Sequence, residues 1–137
     1  MITAVDTNIF SVLWAGIAES KKLGVWLDDA RRIGSLVICP AVYAELLANP
    51  SVTEDQVNRF VRETGIVVQF DMAEATWVEA GRRYAVYASR RRASSGGESK
   101  RLLADFIIGS HALVQTDRLM TLDRGRYERD FPELKLL

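Results

Sequence analysis

Two carboxylates close short apolar runs. Asp6 follows Ile2 to Val5, and Asp123 follows Leu119 to Leu122. Each run reads as a β-strand, so both acids fall at carboxyl ends of strands, where Asp also commonly turns or caps the chain. Two further acids lie within helical patterns. The helical neighbours of Glu45 are Ala41, Val42, Ala48 and Asn49, a mostly apolar face, and a carboxylate is seldom buried there without a partner. Its plainer reading is a half-exposed side chain at the edge of the stripe. Asp105 has Arg101, Leu102, Ile108 and Gly109 around it, and its plainer reading is an Arg101–Asp105 ion pair one turn apart. Four carboxylates meeting at one end of a sheet would repel, so they must hold protons or cations. An oxygen-only set suits a hard cation such as Mg²⁺ or Mn²⁺. Such an ion can orient a water, lower its pKa and shield a phosphodiester during in-line attack.

Whether the acids meet depends on the elements that carry them. Thr7 and Asn8 suit a turn and helix cap after the first strand. Leu23, Trp26, Leu27, Ala30 and Ile33 fall at helical spacing between Lys21 and Ile33. Leu36 to Cys39 reads as a second strand, followed by a helix that Pro40 opens, that runs to about Ala48 and that Pro50 ends. Thr53 caps a helix over Glu54 to Glu63, and Ile66 to Phe70 is a third strand. Ala73, Trp77, Ala80, Tyr84 and Tyr87 form an amphipathic stripe on the next helix, and Leu102 to Gln115 is a strongly apolar one. Leu119 to Leu122 is the fourth strand, and Leu134 to Leu137 a fifth, short edge strand. This alternation predicts one domain over residues 1–137, a three-layer α/β/α sandwich on a mainly parallel sheet of about five strands. Ligands of such sheets bind beyond the carboxyl ends of the strands, where Asp6 and Asp123 stand.

Composition excludes several alternatives. With 137 residues, 48% apolar and 26% charged, the chain is neither disordered nor fibrous. One cysteine, Cys39, and one histidine, His111, exclude an internal disulfide framework, a thiolate-rich zinc site and a histidine-rich metal site. His111 follows Asp105 by six residues, well round the helix from it, so it is not expected to act as a base. No Gly-rich dinucleotide fingerprint, phosphate-binding loop or Asp-x-Asp phosphotransferase motif is present. No signal peptide or membrane span is expected, which points to the cytoplasm.

Eighteen cations balance eighteen acids, which taken alone argues against a general nucleic-acid binder. The balance is uneven along the chain, however. Arg82 to Arg101 carries seven cations (Arg82, Arg83, Arg90, Arg91, Arg92, Lys100 and Arg101) and one acid, Glu98. The linker-like part of it, Arg90 to Arg101, leads into the helix of Asp105 and suits contact with an RNA backbone; a merely solvated loop is the alternative. Leu13 and Trp14 lack a helical stripe behind them and suit either the core or a groove for a partner helix.

The motifs VDTNIF, PAVYAELLA, LLADFIIGSHAL and LMTLDRGRYERDFPELKLL together resemble those of PIN-domain ribonucleases, and more narrowly the VapC-like toxins of type II VapBC toxin–antitoxin pairs. The resemblance runs over essentially the whole chain. It implies that Asp6, Glu45, Asp105 and Asp123 are the catalytic acids and hold one or two Mg²⁺ or Mn²⁺ ions. Asn8 and Thr121 would support them by hydrogen bonding. It further implies cleavage of single-stranded or loop RNA by a metal-bound water, leaving a 5′-phosphate and a 3′-hydroxyl. A cognate VapB-like antitoxin and a homodimer are implied as partners, with no direct DNA binding unless the antitoxin is present. Asp117 precedes the fourth strand and lies at its wrong end, so Asp123 is taken as the fourth acid. Glu98 is taken as a loop charge. The other reading is a catalytically silent PIN-fold module that only binds RNA or protein.

Overall fold

A computed structural model of the chain describes residues 1–95, 97–98 and 100–137. Four strands, β1 (Ile2–Val5), β2 (Ser35–Ile38), β3 (Val67–Val68) and β4 (Arg118–Met120), pair in parallel in the order β3-β2-β1-β4. Seven helices accompany them among the described residues. Helices α1 (Thr7–Trp14) and α2 (Ala18–Ile33) join β1 to β2, and α3 (Pro40–Leu47) and α4 (Glu54–Thr64) join β2 to β3. Helices α5 (Glu74–Ala93) and α6 (Leu103–Gln115) carry the chain back past β1 to β4, and α7 (Arg124–Asp130) follows.

That return is what creates a site. From β1 the chain winds outward through β2 to β3, then reverses to place β4 on the other side of β1. With right-handed crossovers, the reversal puts α5 and α6 on the opposite face of the sheet from the helices before them, completing an α/β sandwich. It also leaves a crevice between the carboxyl ends of β1 and β4, the switch point at which open sheets of this kind bind ligands. Val5 pairs with Met120, so the residues just after each meet at that crevice.

The strand interiors are apolar on both sides, as a covered parallel sheet requires. Val5, Ile38, Leu119 and Met120 are buried, and Ile9, Phe10, Leu46, Phe106, Tyr127 and Phe131 pack over them from the helices. Pro40 opens α3, and Thr53 caps α4 through a reciprocal pair with Gln56. Gly65 ends α4 in the left-handed region at φ 70°, where a side chain would be strained. Gly109 lets α6 pack closely on Phe131, the residue after α7, since a Cβ there would lie 2.4 Å from its ring.

Several expectations change. The fifth strand shrinks to one parallel bridge between Leu119 and Leu136, with only two flanking hydrogen bonds. Trp77 is half exposed, because the stripe of α5 is narrower than its apolar residues suggest: Thr76, Ala80 and Tyr87 are its buried positions. Trp14 joins the core, 5.1 Å edge-on to Phe60 and 5.9 Å from Phe10. The segment read as a linker begins inside α5, which runs through Ala93; Gly96 and Ser99 lie outside the described residues. Helix α7 is not among the elements expected from the sequence.

Candidate active site

The crevice at the β1–β4 switch point is an open cleft of about 280 Å³, and all four expected acids line it. Asp6 is the N-cap of α1, its Oδ1 accepting from the Thr7 amide at 2.8 Å. A helix N-terminus is a favourable place for a carboxylate, since unpaired amides and the helix dipole both face it. The Oδ2 of Asp6 accepts from Thr121 Oγ1 at 2.8 Å and from Asn8 Nδ2 at 3.2 Å, and Tyr127 lines the same cleft. Glu45 reaches the cleft from α3 and accepts from Thr7 Oγ1 at 2.7 Å. Asp105 enters from the first turn of α6, where its Oδ2 also accepts from the Leu102 amide at 3.4 Å.

Asn8 and Thr121 lock the two strand ends together. The Asn8 amide donates to Thr121 Oγ1 at 3.2 Å and its carbonyl accepts from the Leu122 amide at 3.1 Å. Thr121 Oγ1 also accepts from the Asp123 amide at 3.1 Å. One buried hydroxyl thus ties Asp6, Asn8 and the turn carrying Asp123.

Asp123 stands at the rim, and Arg126, one turn later on α7, grips it: Nε lies 3.0 Å from Asp123 Oδ2, while Nη1 lies 3.3 Å from Asp105 Oδ2. Asp105 also faces the buried Arg101, 3.7 Å away, as the simple ion-pair reading expected. Arg101 is pinned by a short ion pair to Asp130 and stacks on the Phe106 ring at 4.7 Å. Asp105 therefore has both the structural pairing and the cleft position.

The electrostatics are those of crowded negative charge. Burial lifts the Asp6 carboxyl above its ordinary value, donors from Thr121, Thr7 and Tyr127 oppose the rise, and the charge of Asp105 adds to it. Glu45 is raised by burial and by the charges of Asp6 and Asp105, with Thr7 opposing. The Tyr127 phenol is pushed well up by burial and by Asp6 and Asp105, so it remains a donor. Among the described residues, no three acidic, histidine or cysteine side chains converge on one point as they stand. The chemistry of the donor set nevertheless fits a hard divalent cation: oxygen ligands only, excess negative charge, and carboxylates whose ionisation burial disfavours.

Arg126, Tyr127 and Thr7 are the site residues that sequence reasoning missed. The first two ride on α7, whose one visible signal is the aromatic pair Tyr127 and Phe131 at helical spacing. Thr7 was read only as part of a cap.

The other candidates are sorted by burial. Of the five cations expected to meet RNA, Arg101 is buried in its pairings, and Arg90 is taken up by Glu98 at 2.6 Å and Asp130 at 2.8 Å. Their shared partner, Asp130, lies far along the chain. Arg91, Arg92 and Lys100 instead border a second open cleft of about 370 Å³ beside Arg101. Tyr84 and Tyr87 pack on Phe106, each ring 5.3 Å from it. Asp117 sits at the amino end of β4, accepting from the Ile2 amide at 2.6 Å, far from the cleft. Burial holds His111 neutral, its pKa pushed down to about 4, with Nε2 2.6 Å from Gln69 Oε1. Burial likewise pushes the Cys39 thiol up to about 11. Beside Thr121 and Leu122 opens an apolar groove of about 730 Å³, walled by Val12, Ile17, Leu23, Val25 and Trp26. It replaces Leu13 and Trp14 as the apolar surface next to the site.

Residues 3–132 match the sequence model described as PIN domain. The chain is similar in structure to VapBC-1 from nontypeable Haemophilus influenzae, at 21% identity and a TM-score of 0.67 over 100% of this chain and 97% of that one. It is also similar to VapBC2 from Rickettsia felis bound to a DNA fragment from its promoter, at 20% identity and a TM-score of 0.72, covering 100% and 98%. No curated protein matches significantly. Among the described residues, no helix is long and apolar enough to cross a membrane.

Proposed function

Because the chain belongs to the PIN domain family, we propose that it is a divalent-metal-dependent endoribonuclease and the toxin of a VapBC-type pair. The observation that carries this reading is the meeting of Asp6, Glu45, Asp105 and Asp123 in one cleft at the sheet's switch point. These four would hold Mg²⁺ or Mn²⁺, one or two ions, whose chemistry is to polarise a phosphodiester and acidify a water.

The protein's own groups prepare that chemistry. Thr121, Asn8 and the Thr7 amide fix both oxygens of Asp6, and Thr7 Oγ1 fixes Glu45, so the ligands are oriented before any ion arrives. Tyr127 closes the floor of the cleft. Arg91, Arg92 and Lys100 are assigned to the RNA backbone, reduced from the larger basic set because Arg90 and Arg101 are spent on internal acids. The solved neighbours are VapBC structures. By analogy we assign the groove beside Leu122 to an apolar segment of a cognate VapB-like antitoxin, which would then lie against the cleft. Ile17, Val25 and Leu122 are each about half exposed there and gain by being covered. A homodimer in the cytoplasm, binding DNA only through the antitoxin, completes the proposal.

The test is cleavage of single-stranded and loop RNA by the purified protein with Mg²⁺ or Mn²⁺. Asp6→Asn and Asp105→Asn are expected to abolish metal-dependent cleavage while retaining the wild-type far-ultraviolet circular dichroism. Undiminished cleavage by both variants would exclude this cleft. Wild-type protein that binds RNA but neither cleaves it nor binds Mn²⁺ would favour the silent binding module.

A further inference from the structure

The cleft contains a cation of its own. Arg126 lies across its mouth with Nε 3.0 Å from Asp123 Oδ2 and Nη1 3.3 Å from Asp105 Oδ2, so one guanidinium bridges two of the four acids. A planar guanidinium with several fixed donors suits such a bridge better than any other side chain. The backbone beneath it is fixed: the Arg126 carbonyl accepts from Arg101 Nη1 at 3.3 Å, and the next residue, Tyr127, is buried. The side chain itself is 38% exposed. It therefore has room to swing outward while α7 stays in place.

We propose that Arg126 is the exchangeable counter-ion of the cleft: it bridges Asp105 and Asp123 when no divalent ion is bound, and the two cations compete for the same carboxylate oxygens. This inference rests on the metal-dependent reading above and deepens it. Four carboxylates facing one cleft must hold protons or be offset by cations. Arg126 supplies part of that offset in the free protein, which limits repulsion in the fold at the expense of metal affinity. Arg101 cannot do this exchange, because its guanidinium is enclosed and held by Asp130.

Calorimetric titration with Mn²⁺ alone tests the competition, using the full chain as wild type, Arg126→Gln, Arg126→Lys, Arg124→Gln and Asp6→Asn. Arg124 is the control for bulk charge, since it lies on the same helix, is about half exposed and pairs only weakly with Glu128 at 3.7 Å. Arg126→Gln is expected to bind Mn²⁺ about five- to tenfold more tightly than wild type, the range set by two partly exposed charge pairs. Arg126→Lys should fall between, keeping the charge without the fork, and Arg124→Gln should change affinity less than twofold. In parallel, the Arg126 Nε–Hε nuclear magnetic resonance signal should shift progressively as Mg²⁺ is added to the wild type. Equal or weaker Mn²⁺ binding by Arg126→Gln, or a gain no larger than that of Arg124→Gln, overturns the proposal. If Asp6→Asn abolishes binding while Arg126→Gln leaves it unchanged, the metal cleft stands and only the counter-ion role fails. If Asp6→Asn binds as wild type does, or no form binds, the metal reading falls and takes the proposal with it.

Discussion

Thr121→Val should expose how much the cleft depends on one hydroxyl. Thr121 is buried at 1% exposure, and its Oγ1 donates to Asp6 Oδ2 at 2.8 Å while accepting from Asn8 Nδ2 at 3.2 Å and the Asp123 amide at 3.1 Å. Valine keeps the branched shape and removes only these bonds. The bond to the charged carboxylate is worth about 1.5–3 kcal/mol and the neutral ones about 1 kcal/mol together, because water in the open cleft can replace them. A loss of about 2.5–4 kcal/mol follows, and at roughly 4 °C per kcal/mol for a chain of this size Tm should fall by roughly 10–16 °C. The pH dependence carries the sharper signature. Asp6 has a folded pKa raised above 3.8, so its contribution to stability is greatest below that value and declines as pH rises through the folded pKa. The Thr121 hydroxyl opposes that rise, so removing it lifts the folded pKa further and deepens the decline. The gap between variant and wild type should open above about pH 4 and level off towards neutrality. Thermal unfolding followed by circular dichroism in chelator, from pH 4 to pH 8, measures it. In the Asp6→Asn background the Thr121→Val gap should lose its pH dependence. A gap that is constant across this range, or that stays below about 1 kcal/mol at pH 7, would refute the assigned network.

Gly109→Ala should destabilise the fold by about 1–3 kcal/mol, since its Cβ would sit 2.4 Å from the ring of the buried Phe131 and push it away from α6. Gly81→Ala, which meets nothing within 4 Å on α5, should instead gain about 0.5–1 kcal/mol; chemical denaturation of the two variants gives both signs. The triple variant Arg91→Ala, Arg92→Ala, Lys100→Ala should leave Tm almost unchanged and weaken binding of single-stranded RNA. Its slope of log affinity against log salt should flatten by about 2, at roughly 0.7 for each lost phosphate contact. An unchanged slope would remove these residues from the RNA surface.

Legibility in the sequence tracked how locally each feature is encoded. Asp6 and Asp123 could be placed because a strand that stops at a carboxylate is a local signal. The strand and helix alternation then put both at the same end of a parallel sheet. What remained hidden depended on long-range pairing. An Arg101–Asp105 pair is legible one turn apart, but the pairing of Arg90 and Arg101 with Asp130 is not, because Asp130 is some thirty to forty residues away on a short, highly charged helix. The same helix carries Arg126 and Tyr127, so overlooking it removed two cleft residues at once. Glu45 shows the opposite case: its unusual position on an apolar face was visible, while the hydroxyl of Thr7 that makes the position tenable was not.

The neutral net charge looked like an argument against nucleic acid, and burial reverses its meaning. Withdrawing the four cleft acids, and Arg126 which lies among them, leaves fourteen acids against seventeen bases elsewhere. Not all of that surplus is available to a polyanion. Arg83 is bound to Glu79 and Glu133, the partly exposed Arg90 to Glu98 and Asp130, and Arg101 to Asp130, so the enclosed Arg83 and Arg101 serve the fold. Buried cations of this kind are strongly favoured to keep their partners, since a lone buried charge costs several kcal/mol. Arg91, Arg92 and Lys100 border their cleft without an acidic side chain among its lining residues. That cleft adjoins Arg101, which faces Asp105, so the positive charge of Arg91, Arg92 and Lys100 lies next to the acidic cleft. A polyanion drawn to the first surface would arrive beside the carboxylates, which by themselves would repel it. Divalent charge in the acidic cleft would turn that repulsion into attraction, and this is why RNA affinity and metal affinity should prove linked.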